Sequence, residues 1–312
     1  MGSAPRRVIL EARAKLNLGL AVGPRRPDGF HELATFFQSI SLADTLIVTR
    51  ARRGFTLRVR EERVAGGGRR RASASRVPRG ANNLVLRAAR RVAARTGLAH
   101  GARFELIKRI PPASGLGGGS ADAAAAIAAL DALYRLKLGP RGRAAIAAEV
   151  GSDVPFALCG GTALGLGRGE RLRPVRLARP FRALIAVPRW RVSTALAFAE
   201  IDRKKFGLTV WGAKLRSVRH YAAGRLKPEQ ALGLGNTLER VLGERREDFL
   251  SLRARLRAAG LSNVAMTGSG SAVFGLLEPG SSPARIARRF NGSESLYAVR
   301  SMRAGLRRVA VS

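Results

Sequence analysis

A segment rich in proline and glycine, residues 111–120, separates a predicted strand at residues 104–110 from a predicted alanine-rich helix at residues 120–136. Its glycines let the backbone turn tightly and approach a ligand closely. The helix that follows directs free N–H groups and the positive end of its dipole toward the segment. We expect Ser120 to cap this helix and Asp122 to lie in its first turn. The arrangement predicts an anion-binding cradle suited to the phosphates of a nucleotide.

This cradle differs from two familiar nucleotide-binding motifs. It lacks the final Gly-Lys-Ser/Thr of a Walker A loop and the glycine spacing of a dinucleotide-binding loop. A flexible turn before a helix is the alternative interpretation. A second glycine-rich segment, residues 266–271, contains Gly268 and precedes a predicted strand at residues 273–277. It is interpreted either as a turn between strands or as a second wall of the same phosphate site.

Two charged residues lie among apolar neighbours. Residues 7–23 are predicted to form a pair of strands, and Lys15 and Asn17 would share one strand face. A lysine that protects a sheet edge is the alternative. Asp153 follows a predicted helix at residues 143–150, and an aspartate paired with a lysine suits proton transfer in phosphoryl-transfer chemistry. A cap for the helical turn before Pro155 is an equally good interpretation of Asp153.

Composition argues against several classes of protein. The 312 residues include 57 lysines and arginines against 21 acidic residues, and the net charge of +36 favours polyanionic ligands. Cys159 is the single cysteine, so no intrachain disulfide forms, and three histidines argue against a histidine-built metal site. The N-terminal residues lack the apolar stretch of a signal peptide, and no stretch is apolar enough to span a membrane, so we expect a cytoplasmic protein. Residues 66–80 are expected to form an exposed loop.

The four motifs, in this order, resemble the GHMP kinase superfamily, which includes galactokinase, homoserine kinase and mevalonate kinase. Its phosphate-binding loop matches residues 115–120, and its C-terminal glycine motif matches residues 267–271. The resemblance implies an α+β, two-domain fold with the active site in the cleft between the domains. A ribosomal-protein-like α/β domain is expected at residues 1–172. An α+β domain is expected at residues 173–312, because the composition shifts near this boundary.

A further segment, residues 26–33, reads Arg-Pro-Asp-Gly-Phe-His-Glu-Leu and, with residues 37–40 and 43–45, is similar to the GHMP kinases of cytidylyl-methylerythritol. The resemblance implies that ATP, with Mg²⁺, donates its γ-phosphoryl group to the 2-hydroxyl of that substrate in the non-mevalonate route to isoprenoid precursors. Asp153 would be the general base, and Lys15 would keep it ionised.

The resemblance also implies two sets of binding residues and no protein-held metal site. The nucleotide-binding set is Asn83, Lys108, Pro111, Gly115, Leu116, Gly117, Gly118, Gly119, Ser120 and Gly268. The substrate-binding set is Asn17, Phe30, His31, Thr194 and Phe198. In this set the cytosine would stack on Phe30 and accept or donate a hydrogen bond at His31.

The chain departs from the family pattern at Phe30, where tyrosine is usual, at Arg13, where proline is usual, and at Ala81, where an acidic residue is common. Two alternatives stay open: another small-molecule kinase of the superfamily, and a basic nucleic-acid-binding protein, since a fold alone does not define a function. Both a monomer and a homodimer are compatible with the sequence. The surface arginines predict nonspecific binding to nucleic acid that weakens with salt.

Overall fold

The structure is a computed structural model that describes residues 5–62, 77–78, 80–204 and 208–311. The loop expected at residues 66–80 lies almost entirely outside these ranges. The strands are β1 (Arg7–Arg25), β2 (His31–Ala51), β3 (Phe55–Glu61), β4 (Gly101–Lys108), β5 (Thr162–Gly167), β6 (Arg171–Pro174), β7 (Arg176–Leu177), β8 (Arg182–Val187), β9 (Arg225–Leu226), β10 (Ser262–Met266), β11 (Val273–Leu276), β12 (Ser295–Arg300) and β13 (Leu306–Val311). The helices are α1 (Leu84–Thr96), α2 (Gly118–Tyr134), α3 (Gly139–Val150), α4 (Val154–Cys159), α5 (Thr194–Lys204), α6 (Leu208–Ala223), α7 (Pro228–Gly233), α8 (Arg246–Ala258) and α9 (Pro283–Arg289), with short 3-10 helices at Thr237–Val241 and Gly243–Arg245.

The first sheet is built around β1 and β2. Its strand order is β13–β1–β2–β4–β3, and all neighbours are antiparallel except β3 and β4. The long strand β2 has two further partners along its length, because residues 45–51 pair with β4 while residues 33–38 pair with β5. The predicted pair of strands at residues 7–23 is wrong. The alternation of apolar residues continues without a turn as far as Gly23-Pro24, so these residues form one strand.

Helices α1, α2 and α4 pack against the first sheet, and α3 packs against these three helices. Helix α1 buries Val85, Ala89 and Val92 at helical spacing, begins after Asn83, whose side chain accepts a hydrogen bond from the Val85 N–H, and ends at Gly97. Helix α2 is buried on nearly every side. Its alanines have small side chains, so β1, α1 and α4 all approach it closely. Helix α2 is therefore the central helix of this layer, while its first residues, 118–120, stay partly accessible.

The second sheet has the order β10–β11–β8–β12 and is antiparallel throughout. One apolar face of this sheet is buried by residues of α5, α8 and the Thr237–Val241 helix. The residues after β12 join the two sheets: the Met302 N–H donates to Ser39 O at 2.8 Å, and Ser301 forms an isolated bridge with Ile40 of β2. The last strand, β13, then returns to the first sheet. The α+β class is confirmed, and the division of the chain at residue 172 stays a prediction.

Candidate active site

The first glycine-rich segment forms the loop at the start of α2. Gly115 and Gly117 have φ values of 82° and 70°, which side chains rarely adopt. A Cβ at residue 115 would lie 2.3 Å from Thr267 O, and one at residue 117 would lie 2.9 Å from Cγ of Lys15. Glycine is therefore required at both positions by backbone conformation and by space.

The N-terminus of α2 differs from the sequence prediction. The helix begins at Gly118, its N-cap is Gly117, and no side chain caps it. The expectation that Ser120 is the cap is therefore wrong, because the left-handed Gly117 takes the N-cap position three residues earlier. The expected place of Asp122 in the first turn is wrong for the same reason. Uncapped N–H groups at a helix start are ready to bind an anion.

The second glycine-rich segment packs directly against the first. The Ala272 N–H donates to Ser114 O at 3.0 Å, and the Thr267 hydroxyl accepts a hydrogen bond of 2.9 Å from the Asn17 N–H. The buried Asn236 amide donates to the carbonyls of Met266 at 3.0 Å and Gly268 at 2.8 Å. The two segments thus form one continuous wall, although 145 residues separate them in the chain.

Lys15 and Asp153 meet beside this wall. Nζ of Lys15 lies 2.5 Å from Oδ1 of Asn17 and 3.4 Å from Oδ2 of Asp153. Lys15 is only 7% exposed, and its N–H donates to Leu116 O, so the interpretation as a lysine that protects a sheet edge is wrong. Asp153 precedes α4 without capping it by a side-chain hydrogen bond, so its carboxylate is free to face the cavity.

One cavity of about 670 Å³ joins these groups to a second cluster near the start of β2. Its volume is within the range of small-molecule sites, about 300–1,000 Å³. The predicted site residues that line it are Lys15, Asn17, Phe30, His31, Gly115, Gly117, Ser120, Asp153, Thr194, Phe198 and Gly268. The predicted residues that do not line it are Asn83, Lys108, Pro111, Leu116, Gly118 and Gly119.

The second cluster is aromatic and polar. Phe30 is 51% exposed, and the Arg168 guanidinium lies 4.8 Å from the centre of its ring. The buried His31 ring lies 5.3 Å from the Phe198 ring. Its Nδ1 is 3.1 Å from Gly23 O, and its Nε2 is 3.2 Å from Oδ1 of Asp202. A flat ring could bind over the exposed face of Phe30 with its polar edge near His31.

Lys108 lies behind the phosphate loop. Its ammonium forms ion pairs with Asp44 and, at 2.7 Å, with Asp122. Burial lowers the pKa of Lys108, but the charges of Asp122 and Asp44 outweigh it and the net shift is upward. Burial raises the pKa of Asp122 well above its usual range, and Lys108 offsets this only in part. Lys108 and Asn83, which caps α1, remain predicted nucleotide-binding residues.

Sequence reasoning missed several residues of this region. Asp202 comes from α5 and Arg168 from the turn after β5, and nothing near either residue in the sequence distinguishes it from other surface charges. Asp44 lies within residues 43–45, which entered the family resemblance without an assigned role. Asp44 accepts hydrogen bonds from the backbone N–H groups of Arg109 at 2.5 Å and Ile110 at 2.9 Å, and so fixes the entry to the loop.

Comparisons with known proteins agree with this geometry. The model of the GHMP kinases N-terminal domain matches residues 83–161, and that of the C-terminal domain matches residues 220–294. A homoserine kinase from Cytophaga hutchinsonii has a TM-score of 0.70 at 19% identity, over 99% of both chains, which is a likeness of fold. The fold and the paired glycine loops define a kinase of the GHMP class.

Relatives of higher sequence identity indicate which family within this class the chain belongs to. A 4-diphosphocytidyl-2-C-methyl-D-erythritol kinase from Moorella thermoacetica is 41% identical over 90% of this chain and 94% of its own length. One from Nocardia farcinica is 38% identical over 95% of this chain and 94% of its own. The crystal structure of a 4-(cytidine 5'-diphospho)-2C-methyl-D-erythritol kinase has a TM-score of 0.70 at 35% identity and covers 94% of this chain and 98% of that one. The chain belongs to the 4-diphosphocytidyl-2-C-methyl-D-erythritol kinase family.

Membership confirms the predicted family and the two-domain GHMP kinase fold, and it defines the chain as an ATP-dependent kinase. No helix among the described residues has the length and apolar character needed to cross a membrane. Within the same ranges, no group of three or more His, Cys, Asp or Glu side chains is arranged to hold a metal ion.

Proposed function

We propose that this protein transfers the γ-phosphoryl group of ATP to the 2-hydroxyl of 4-diphosphocytidyl-2-C-methyl-D-erythritol, in the non-mevalonate pathway to isoprenoid precursors. The observation that carries the proposal is the position of the Lys15–Asp153 pair. It lies between a loop fit for phosphates and a pocket fit for a flat heterocycle, within one cavity. A substrate with a reactive hydroxyl at one end and a pyrimidine at the other matches both ends of that cavity.

Asp153 is the proposed general base. Its carboxylate accepts the proton of the 2-hydroxyl as the oxygen attacks the γ-phosphorus, and the bond to the β-phosphate oxygen breaks to release ADP. Lys15 stabilises the ionised carboxylate from 3.4 Å and offsets negative charge that develops on the transferred group. Asn17 accepts a hydrogen bond from Lys15 and so orients the ammonium toward Asp153.

The nucleotide is proposed to lie with its phosphates against the first glycine loop. The free N–H groups at the start of α2 would donate to phosphate oxygens, and Gly268 would close the other side. Mg²⁺ prefers oxygen ligands and keeps several waters, so it would arrive with ATP. Ser120 and Asp153 present oxygen atoms to the cavity and are the residues suited to contact the ion or its waters.

The pyrimidine end of the substrate is proposed to stack on Phe30, with Phe198 and Thr194 on the opposite wall. The Thr194 hydroxyl is fixed by a 2.7 Å hydrogen bond to Ser269, so this wall is continuous with the second glycine loop. Nδ1 of His31 donates to Gly23 O, and its Nε2 lies 3.2 Å from Oδ1 of Asp202, so this carboxylate supplies the hydrogen-bond acceptor on the cavity side. An acceptor there favours cytosine, whose 4-amino group donates, over uracil, whose 4-oxygen accepts.

The test is a substrate panel with purified protein, ATP and Mg²⁺. Release of ADP is measured with 4-diphosphocytidyl-2-C-methyl-D-erythritol, with its uridine analogue, and with mevalonate, homoserine and galactose. We expect turnover with the first and little with the others. Equal turnover with mevalonate, homoserine or galactose would mean that this is another small-molecule kinase of the superfamily.

A pair of variants tests the base. Asp153→Asn should lower kcat by at least about a hundredfold while leaving ATP binding intact, since loss of a general base typically costs about 10²–10⁴-fold. Asp248→Asn is the matched control, because Asp248, on α8, is half-exposed, pairs with Arg245 and does not line the cavity. Full activity of Asp153→Asn would exclude the proposed role.

We further propose that the protein acts in the cytoplasm, as a monomer or a homodimer. The arginine-rich surface should raise the rate of encounter with the anionic substrates. It should also retain nucleic acid without sequence preference, and raising the salt concentration should remove that binding steeply. Retention of one RNA sequence over others at 0.15 M or higher salt, on the order of physiological ionic strength, would favour the nucleic-acid-binding alternative.

A further inference from the structure

A second cavity, of about 680 Å³, lies at the junction of the two sheets and shares no lining residue with the active-site cavity. It is bordered by the ends of β8 and β12 and by residues 301–304, which connect the second sheet to the first. The chemistry of the proposed kinase reaction uses none of its residues. The residues that line it therefore need a function other than the kinase reaction.

Two arginines that line this cavity are placed so that they repel each other when no anion is bound. Arg182 and Arg300 lie directly opposite each other on the antiparallel strands β8 and β12. Like charges in that position repel and destabilise a sheet. Arg303 also lines the cavity, and none of these three arginines has a carboxylate within 4.0 Å among the residues that the structure describes. An anion between Arg182 and Arg300 would remove the repulsion.

The inner part of the cavity is also positively charged, because the buried Arg13 lines it. The buried Arg13 guanidinium is held by a 3.0 Å hydrogen bond to Ala304 O. Burial lowers the pKa of Arg13, Glu11 partly offsets that effect, and Arg307 and Arg300 lower it further. Arg13 is one of the positions at which the chain departs from the family pattern. The positive field is thus a property of this chain rather than of the shared catalytic motifs.

Two carboxylates line the same cavity, and they do not cancel its charge. Glu229 is already paired with Arg179 at 2.6 Å. Glu278 lies on the exposed loop after β11. The floor, by contrast, is apolar and includes the buried side chains of Phe181 and Leu276. The cavity therefore combines a cationic rim with an apolar base.

We propose that this cavity is a second binding site, for a small organic phosphate or diphosphate that carries an apolar group. The phosphate lies between Arg182 and Arg300, where charge-assisted hydrogen bonds from arginine are strongest. The apolar group covers Phe181 and Leu276. A nucleic-acid backbone fits less well, because it offers phosphates but no apolar group to fill the concave floor.

The test is calorimetric titration with hexyl phosphate and with inorganic phosphate, at about 0.15 M salt to screen exposed charges. The active site is kept filled with a non-hydrolysable ATP analogue and Mg²⁺. We expect one hexyl phosphate per chain, bound at least about tenfold more tightly than inorganic phosphate, because each buried CH₂ group favours binding. Binding that the ATP analogue abolishes would place the ligand in the active site and overturn the proposal.

Charge-removing variants test the rim. The double variant R182Q/R300Q should weaken binding of hexyl phosphate by at least about tenfold, equivalent to about 1.4 kcal/mol. The control R58Q/R103Q removes the same charge from exposed positions on β3 and β4, and should change the dissociation constant by less than about twofold. Equal losses in the two double variants would mean nonspecific attraction, and would overturn the proposal.

Two further measurements keep the test decisive. If R182Q/R300Q does not fold, the single variants R182Q and R300Q should each weaken the binding while melting at or above the wild-type temperature, because each removes the repulsion between the two arginines. A short RNA that displaces hexyl phosphate, and that binds wild type and R182Q/R300Q differently, would identify the surface as a nucleic-acid site. That result would also overturn the proposal.

Discussion

Replacing Lys108 by methionine distinguishes a structural role of this residue, in buried ion pairs, from a direct contact with the nucleotide. Its ammonium lies between Asp44 and Asp122, and the relative exposures of the three residues are 4%, 0% and 3%. Methionine keeps the length of the side chain and removes the charge, so two buried carboxylates are left without a cation. Breaking a buried pair in this way costs about 3–5 kcal/mol, whereas an exposed pair contributes about 0–1 kcal/mol.

The loss should appear as a lower melting temperature. For a chain of this size each kcal/mol shifts the midpoint by about 2–4 °C, so Lys108→Met should melt on the order of 10 °C below wild type. The control Lys137→Met changes an exposed lysine with no described ion pair and should melt within about 2 °C of wild type. Differential scanning calorimetry at pH 7.5 measures both differences.

The loss of stability in Lys108→Met should also depend on pH, and it should be smaller at lower pH. Burial already raises the pKa of Asp122, and loss of Lys108 raises it further. A carboxyl with a raised folded-state pKa destabilises the fold progressively as the pH rises from its unfolded pKa of about 4 to the raised pKa, and this penalty disappears as the pH falls back toward about 4. The gap between Lys108→Met and wild type should therefore narrow between pH 7.5 and pH 5.

A second substitution checks the cause. The double variant Lys108→Met/Asp122→Asn removes one of the two unpaired carboxylates, so it should melt at a higher temperature than Lys108→Met. Lys108→Met that melts at the wild-type temperature while its KM for ATP rises strongly would contradict the prediction. That result would mean that Lys108 contacts the nucleotide directly, as the family resemblance implies, and that the buried ion pairs contribute little.

Three further predictions concern the walls of the cavity. Gly115→Ala should push the loops apart, because its Cβ would lie 2.3 Å from Thr267 O; we expect KM for ATP to rise at least about tenfold, and an unchanged KM would mean that the loops do not form the phosphate site. Phe30→Ala should raise KM for the cytidylyl substrate by about 5–100-fold without affecting KM for ATP, since stacking of a base on an aromatic ring contributes about 1–3 kcal/mol; equal changes in both constants would refute a stacking role. Asn236→Ala removes two buried hydrogen bonds to the second glycine loop and should lower stability by about 1–3 kcal/mol, measured by denaturant unfolding; no loss would mean that the loop holds its shape without Asn236.

The sequence predicted those parts of the fold that depend on short-range patterns. The glycine loop before α2, the apolar spacing in α1 and the strand that carries Lys15 each follow from residues a few positions apart. The errors are local as well. Helix α2 starts at Gly118 rather than Ser120, because the left-handed Gly117 ends the loop, and backbone conformation at a single glycine is not readable from composition.

The sequence also singled out Lys15 and Asp153, because a charge among apolar residues is conspicuous wherever it occurs. Their separation of 3.4 Å, by contrast, exists only because β1 and the turn before α4 meet at the start of α2. The same holds for Asp202 beside His31, for the pairing of Lys108 with Asp44 and Asp122, and for the opposed Arg182 and Arg300. An isolated carboxylate or arginine in the sequence looks like any other surface charge. Only the tertiary structure decides whether it meets water, an opposite charge or a like one, because burial and distance set the energy of a charge.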